Sequence, residues 1–320
     1  MLRDGDPAEA VTSNRAAGAT RFYTGQFGDA LDYLRQTARI EPVPDLRKAI
    51  LAYDVVDPWV VNHAYSGLVL WIAGRTDEAR QENDLAISLA RKVNHPFTLA
   101  LALCFAQWTY QFCGNSGRVK DLAGEALHLS ERYGFTFWTG WAEILLASAE
   151  AGPDEADTRR RMRAGLATWQ STGSELGLSY FQCLLAEHSN DTDARQLLDA
   201  AEHFAKERNE TFWLPDIHRI RGRQALVDRK AGSAASAEAS FRTSLASSDA
   251  LGAKSLALRA ALDLARLLDW RGDRAAAIAT LAPRVAPFAG AGGFADLDAA
   301  RAVLARGGQG SPLFDEQDAA

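Results

Sequence analysis

The chain has 320 residues, with 35 Lys+Arg against 41 Asp+Glu for a net charge of −6, and it is 47% hydrophobic and 24% charged. This balance is too apolar for a disordered chain and too acidic for a strong nucleic-acid footprint. The longest unbroken apolar run, Leu99–Ala106, falls far short of the ~18 residues a membrane span needs, and the charged start MLRDGDPAEA lacks the apolar segment of a signal peptide.

In chain order, one pattern recurs. Gly18-x6-Gly25-x-Phe27-x2-Ala30 runs on to Pro42 and is echoed by Gly67-x6-Gly74 with Ala79 and Ala86. Weaker copies centre on Gly114, with Ala123 and Ala126, and on Gly152; another is expected to turn at Asn190-Asp191. Gly222, a small residue near Gly232, Ala237, Phe241 and Ser244 fall at matching offsets, as do Leu264-Ala265, Leu268, Gly272, Ala277 and Leu281. A small residue in a first helix lets a second approach closely, and a glycine ends the first by entering the left-handed conformation. An alanine early in the second helix sits at the crossing, and larger residues beyond it fill the space between units. Each unit reads as a helical hairpin that buries its apolar face only by stacking on its neighbours.

The turn residues are 49 apart at first (Gly25 to Gly74) and then close to 40 apart. Strand signals are nearly absent. The fold class predicted is all-α: a right-handed superhelical solenoid of about seven tetratricopeptide-like (TPR-like) hairpins with a period of about 40. HEAT repeats are the competing architecture, and the glycine and alanine spacings favour the tetratricopeptide one. The solenoid is expected over 14–305, after a short lead at 1–13 and before a disordered acidic tail at 306–320. Between hairpins, helix-stopping residues precede aromatics: Asn94-His95-Pro96-Phe97, Tyr133 to Trp138, Gly177 to Phe181 and Asn209 to Trp213. These aromatics are expected to fill the seams between adjacent hairpins.

Several phrases carry a family resemblance. Asn94-His95-Pro96-Phe97-Thr98-Leu99-Ala100 resembles the "GHPFSLA" phrase of a bacterial repeat region. Ala167-Thr168-Trp169 with Thr172 to Gly177 does so too, as do Phe212 to Gly222 and Ala253 to Ala261 running on to Leu281-Ala282-Pro283. Together, over about 14–305, they look like the C-terminal tetratricopeptide region of large bacterial signalling proteins. Those proteins join an adenylate/guanylate cyclase, protein kinase or DNA-binding domain to a predicted signal-transducing ATPase. The resemblance implies a protein or peptide partner, such as an ATPase, cyclase, kinase or regulator domain, or a small effector. The family's catalytic modules do not fit before Asn14. The expectation is therefore a separated or truncated C-terminal part, or a module that docks on its output domain; a scaffold for a transcriptional regulator is a further alternative.

Motifs for chemistry are sparse. Gly252-Ala253-Lys254-Ser255 echoes a phosphate-binding loop without the paired glycine spacing. The six histidines form no H-x3-H or HExxH pattern, and His95 and His218 read as capping or half-buried rings at helix starts. Cys104, Cys113 and Cys183 contain no CxxC pair and read as buried small hydrophobes in a reducing compartment. Arg159-Arg160-Arg161-Met162-Arg163 follows acidic residues, the order a helix dipole favours, and reads as a solvated face. No catalytic residue, metal site, cofactor, nucleic-acid partner or membrane contact is predicted, and the expected location is cytoplasmic. What remains is a concave surface lined by first helices. Alignment on the turn glycines places Trp71, Trp108, Gln111, Phe181, His188, Asp216, Arg219, Arg223, Arg259, Arg266 and Asp269 near it. Aromatics and arginines carry binding energy at interfaces; the alternative is that Trp108 and Phe181 are core and the arginines are solvated.

Overall fold

A computed structural model of the chain describes residues 6–52, 54–152, 155–189, 191–227 and 232–305. Among them every regular element is helical. The α-helices are α1 (Pro7–Tyr23), α2 (Phe27–Ala38), α3 (Pro44–Leu51), α4 (Pro58–Ile72), α5 (Thr76–Val93), α6 (Pro96–Phe112), α7 (Ser116–Tyr133) and α8 (Thr136–Ala149). They continue as α9 (Glu155–Gln170), α10 (Leu178–Glu187), α11 (Asp191–Glu207), α12 (Leu214–Val227), α13 (Ser233–Ala250), α14 (Lys254–Trp270), α15 (Arg274–Val285) and α16 (Ala295–Ala305). Two 3-10 turns, Thr211–Trp213 and Ala286–Phe288, join α11 to α12 and follow α15.

The helix starts are written locally. Proline occupies the first position of α1, α3, α4 and α6, where its missing N–H costs nothing. The Asp57 carboxylate accepts the Trp59 and Val60 amides at 3.1 Å, and the His95 ring accepts the Thr98 amide at 3.4 Å, so His95 is the capping ring its position suggested. Helices then pack in neighbouring pairs: α1 with α2, α4 with α5, α6 with α7, α8 with α9, α10 with α11, α12 with α13 and α14 with α15. Gly74 turns α4 into α5 at φ 85°, which a side chain would strain, and Gly25, Gly114, Gly232 and Gly272 are left-handed too. The alanines read as crossing points, Ala30, Ala79, Ala123, Ala237 and Ala277, are all buried.

Two features depart from the sequence expectation. The lead expected at 1–13 is partly helix, since Asp6 caps α1 and Pro7 opens it. The long first interval accommodates α3, whose Ile50 packs with Val11 and Trp59 in a small second core. There the Trp59 indole N–H donates to the Ile40 carbonyl at 2.8 Å. The tail at 306–320 and Asn190 lie outside the described residues. No helix among the described residues is long and apolar enough to cross a membrane.

The helix pairs fold back on one another, so that N-terminal helices touch C-terminal ones. Phe212 lies 5.0 Å from Phe22 of α1, the Ser255 hydroxyl of α14 donates to the Trp71 carbonyl of α4 at 2.5 Å, and the Ala295 amide donates to the Cys113 carbonyl at 3.3 Å. The side chains that face the axis therefore meet one another. Trp108 sits at the middle, 4.9 Å from Tyr180, 5.0 Å from Trp141 and 5.8 Å from Phe212. Trp71 lies tilted against Phe112 at 4.8 Å, and Phe181 meets Trp141 edge-on at 5.0 Å. All three predicted surface aromatics, Trp71, Trp108 and Phe181, are buried. The aromatic part of the expected concave surface is thus core, because closure of the row removes the open face.

Candidate functional site

Beside the aromatic centre the same inward faces turn polar. Helical spacing puts Tyr180, Cys183, Leu184 and Glu187 on one stripe of α10, Asp216, Arg219, Ile220 and Arg223 on one stripe of α12, and Arg259, Asp263 and Arg266 on one stripe of α14. The three stripes converge. α10 starts where it does because the buried Glu210 carboxylate caps it, accepting the Gly177 amide at 2.7 Å, the Ser179 amide at 3.3 Å and the Ser179 hydroxyl at 2.5 Å. Burial pushes the Glu210 carboxyl above its ordinary range, and these donors only partly offset it.

Arg219 is the hub. Its Nε donates to Asp216 Oδ1 at 2.5 Å and its Nη2 to Asp216 Oδ2 at 3.2 Å, a bidentate pair. Its remaining donors reach Asp263 Oδ2 and Glu187 Oε1, each at 3.1 Å. Arg259 donates to Asp296 at 2.7 Å and to the Phe112 carbonyl at 2.6 Å, and lies 3.6 Å from Asp216. Its guanidinium sits 4.8 Å from the Trp71 ring centre, so it joins the charged cluster to the aromatic core. Burial alone would raise the Asp216 carboxyl; the Arg219 and Arg259 guanidiniums override it and hold that carboxyl below its ordinary range.

Two adjoining cavities open on this cluster. The inner one, about 140 Å³, is bounded by Gln111, Tyr180, Trp213, Asp216, Arg219 and Arg259 among others. The outer one is a cleft of about 360 Å³ lined by His188, Asp263 and Arg266 together with the apolar Ile220, Leu226 and Val227 of α12 and Phe241 of α13. Glu187 and Arg223 line both. At the mouth the pairing is loose: Arg223 lies 3.9 Å from Glu187 with 56% of its side chain exposed, and Arg266 lies 3.6 Å from Asp263 with 38% exposed.

Seven of the predicted surface residues therefore come together here: Gln111, His188, Asp216, Arg219, Arg223, Arg259 and Arg266. The Gln111 side-chain oxygen accepts the Tyr180 hydroxyl at 3.0 Å, and His188 pairs with the Ser148 hydroxyl at 3.0 Å. Asp269 does not join them; it pairs with Arg274 at 3.3 Å near the end of α14. Sequence reasoning missed Glu187, Asp263 and Asp296 as partners, although Asp216-x2-Arg219 and Asp263-x2-Arg266 carry the helical ion-pair spacing.

Chemically the cluster is a set of fixed charges. Asp216 is held ionised, and burial pushes the Cys183 thiol well above its ordinary value, which makes it a poor nucleophile. Burial lowers the His188 imidazole, so it is neutral near pH 7. The Gly252-Lys254-Ser255 segment is the link into α14, with the Ser255 hydroxyl committed to the Trp71 carbonyl. Arg159, Arg161 and Arg163 each reach an acidic side chain, at 3.4, 2.6 and 2.9 Å, and Arg160 pairs with Asp157. No protein-family model matches the chain, and no curated protein matches it.

Proposed function

We propose that the helix pairs are about seven tetratricopeptide-like repeats of one right-handed superhelical solenoid. On this reading the chain is a cytoplasmic, non-catalytic recognition module of a bacterial signal-transduction system. It takes a partner protein, a peptide or a small effector at the charged cleft of α10, α12 and α14, and binding biases the state of an ATPase, cyclase, kinase or regulator domain. The observation that carries this reading is the cleft mouth, where Arg223 and Arg266 are exposed and loosely paired beside an apolar wall. Exposed arginine beside apolar surface is the composition from which binding hot spots are made. The sequence phrases that resemble bacterial signalling repeats, and the left-handed turn glycines 40 residues apart at Gly74 and Gly114 and again at Gly232 and Gly272, support the repeat class.

The test is to co-express the chain with the signalling ATPase, cyclase or regulator encoded beside its gene and to follow co-elution. Wild-type chain is expected to co-elute, and R223A/R266A to do so at least about tenfold more weakly, the loss expected for hydrogen bonds to charged groups. Co-elution unaffected by both substitutions removes the cleft from the interaction. Hydrolysis or cyclisation of ATP or GTP by the purified chain overturns the non-catalytic reading.

A further inference from the structure

We propose that the outer cleft between α10, α12 and α14 binds an apolar α-amino acid in its zwitterionic form. This names a ligand class for the same cleft and rests on the recognition reading. Four features of the cleft carry it.

The first is charge balance. Arg223 and Arg266 face Glu187 and Asp263 in the cleft, and behind them Arg219 and Arg259 face Asp216 and Asp296. A simple anion bound at the arginines would add one uncompensated negative charge beside two carboxylates, and a simple cation would do the reverse; both are costly in a part-buried site. A ligand carrying both signs leaves the balance unchanged.

The second is exchangeability. Glu187 and Asp263 each give a closer contact, 3.1 Å, to Arg219 than they give to Arg223 or Arg266, at 3.9 and 3.6 Å. The mouth guanidiniums therefore hold spare donors for a ligand carboxylate. Arg219 and Arg223 both approach Glu187 Oε1, so Glu187 Oε2 is left to accept from a ligand ammonium, and Asp263 Oδ1, only loosely held by Arg266 at 3.6 Å, can turn to it as well. The third feature is the apolar part of the lining, Ile220, Leu226 and Val227 of α12 with Phe241 of α13, where Val227 is 55% exposed and offers apolar surface to a side chain. The fourth is size. At about 360 Å³ the cleft stands near the lower bound of small-ligand cavities, which run from about 300 Å³, and suits a single amino acid better than a folded segment.

The probes are L-leucine, N-acetyl-L-leucine, which lacks the cation, and L-leucinamide, which lacks the anion. Each is titrated calorimetrically into the full chain. L-Leucine is expected to bind saturably, and each analogue at least about tenfold more weakly, as loss of a charge-assisted hydrogen bond implies. R223A and R266A are each expected to weaken L-leucine by about tenfold or more, with circular dichroism and melting temperature checking that both remain folded. Equal binding of either analogue overturns the zwitterion assignment. So does an absence of L-leucine binding up to about 10 mM, or unchanged affinity in both variants. If the partner still co-elutes while L-leucine fails, only the ligand class falls; loss of cleft-dependent co-elution defeats the recognition reading itself.

Discussion

Arg219 shows how much one side chain can be asked to hold. It is buried and bonded to Asp216, Asp263 and Glu187 at once. Removing one partner of a buried charge network costs more than the network contributes over an apolar replacement, because the other charges stay behind unpaired. Arg219→Met is therefore expected to destabilise the fold by about 3–5 kcal/mol. Arg219→Lys should fall in between, since an ammonium keeps the charge and loses the planar fork. The pH dependence follows from Asp216. In the wild type its carboxyl is held low, so it adds stability above its ordinary pKa of about 4 that is lost as pH falls through the lowered value. In Arg219→Met that carboxyl keeps only the more distant Arg259 guanidinium, so it is held less low and the stability it adds above the ordinary carboxylate range shrinks. The cost of Arg219→Met is thus expected to be greater at pH 7 than at pH 4, as read by urea unfolding at the two values; an equal cost at both would show that Asp216 is not buried against this guanidinium.

At the scale of elements, α8 and α9 come together backbone to backbone at Gly140. A Cβ on Gly140 would stand 2.5 Å from the Trp169 amide nitrogen and 2.7 Å from the Gly165 carbonyl oxygen. Both are backbone atoms, so neither can swing aside as a side chain would. Gly140→Ala is expected to cost about 2–4 kcal/mol, at or above the usual range for overpacking, measured by thermal or chemical melting. Gly124→Ala, exposed inside α7 with open space around its added carbon, is the control and should be stabilised by up to about 1 kcal/mol, the helix-propensity gain of alanine over glycine. Pairing of this kind was largely legible in the sequence, because it depends on residues close in the chain: a left-handed glycine, an alanine five residues on, a proline or aspartate at the next start. Gly140 itself was not legible, since it lacks the glycine seven residues later that marks Gly18 and Gly67. The helix α3 was hidden for a related reason. PDLRKAIL is short and buries only Ile50, so it carries no periodic stripe.

Over the whole molecule, what the sequence left open was whether the inward faces meet water or each other. That is decided by contacts between residues far apart in the chain, such as Phe22 with Phe212 and Trp71 with Ser255 and Arg259. No local pattern encodes them, which is why the turn-glycine alignment points Trp71, Trp108, Phe181, Arg219 and Arg259 toward an open surface although all five are buried. Arg259 is the side chain on which the closure turns. It gives the last-turn carbonyl of α6 a cationic donor, which the helix dipole favours, and it lies against Trp71 of α4 while anchored to Asp296 of α16. Arg259→Met keeps an unbranched apolar stem against Trp71 and removes every one of those polar links. The variant is expected to lose about 2–3 kcal/mol, given that Asp296 is part-exposed and Asp216 keeps Arg219. Its backbone amides should exchange faster in two places far apart in sequence, the ends of α4 and α6 and the first turns of α14 and α16, because the ends of the row separate together. Faster exchange confined to α14 and α16 would mean that the N-terminal pairs hold their shape without the closure, and that the aromatic centre rather than Arg259 keeps the two ends in contact.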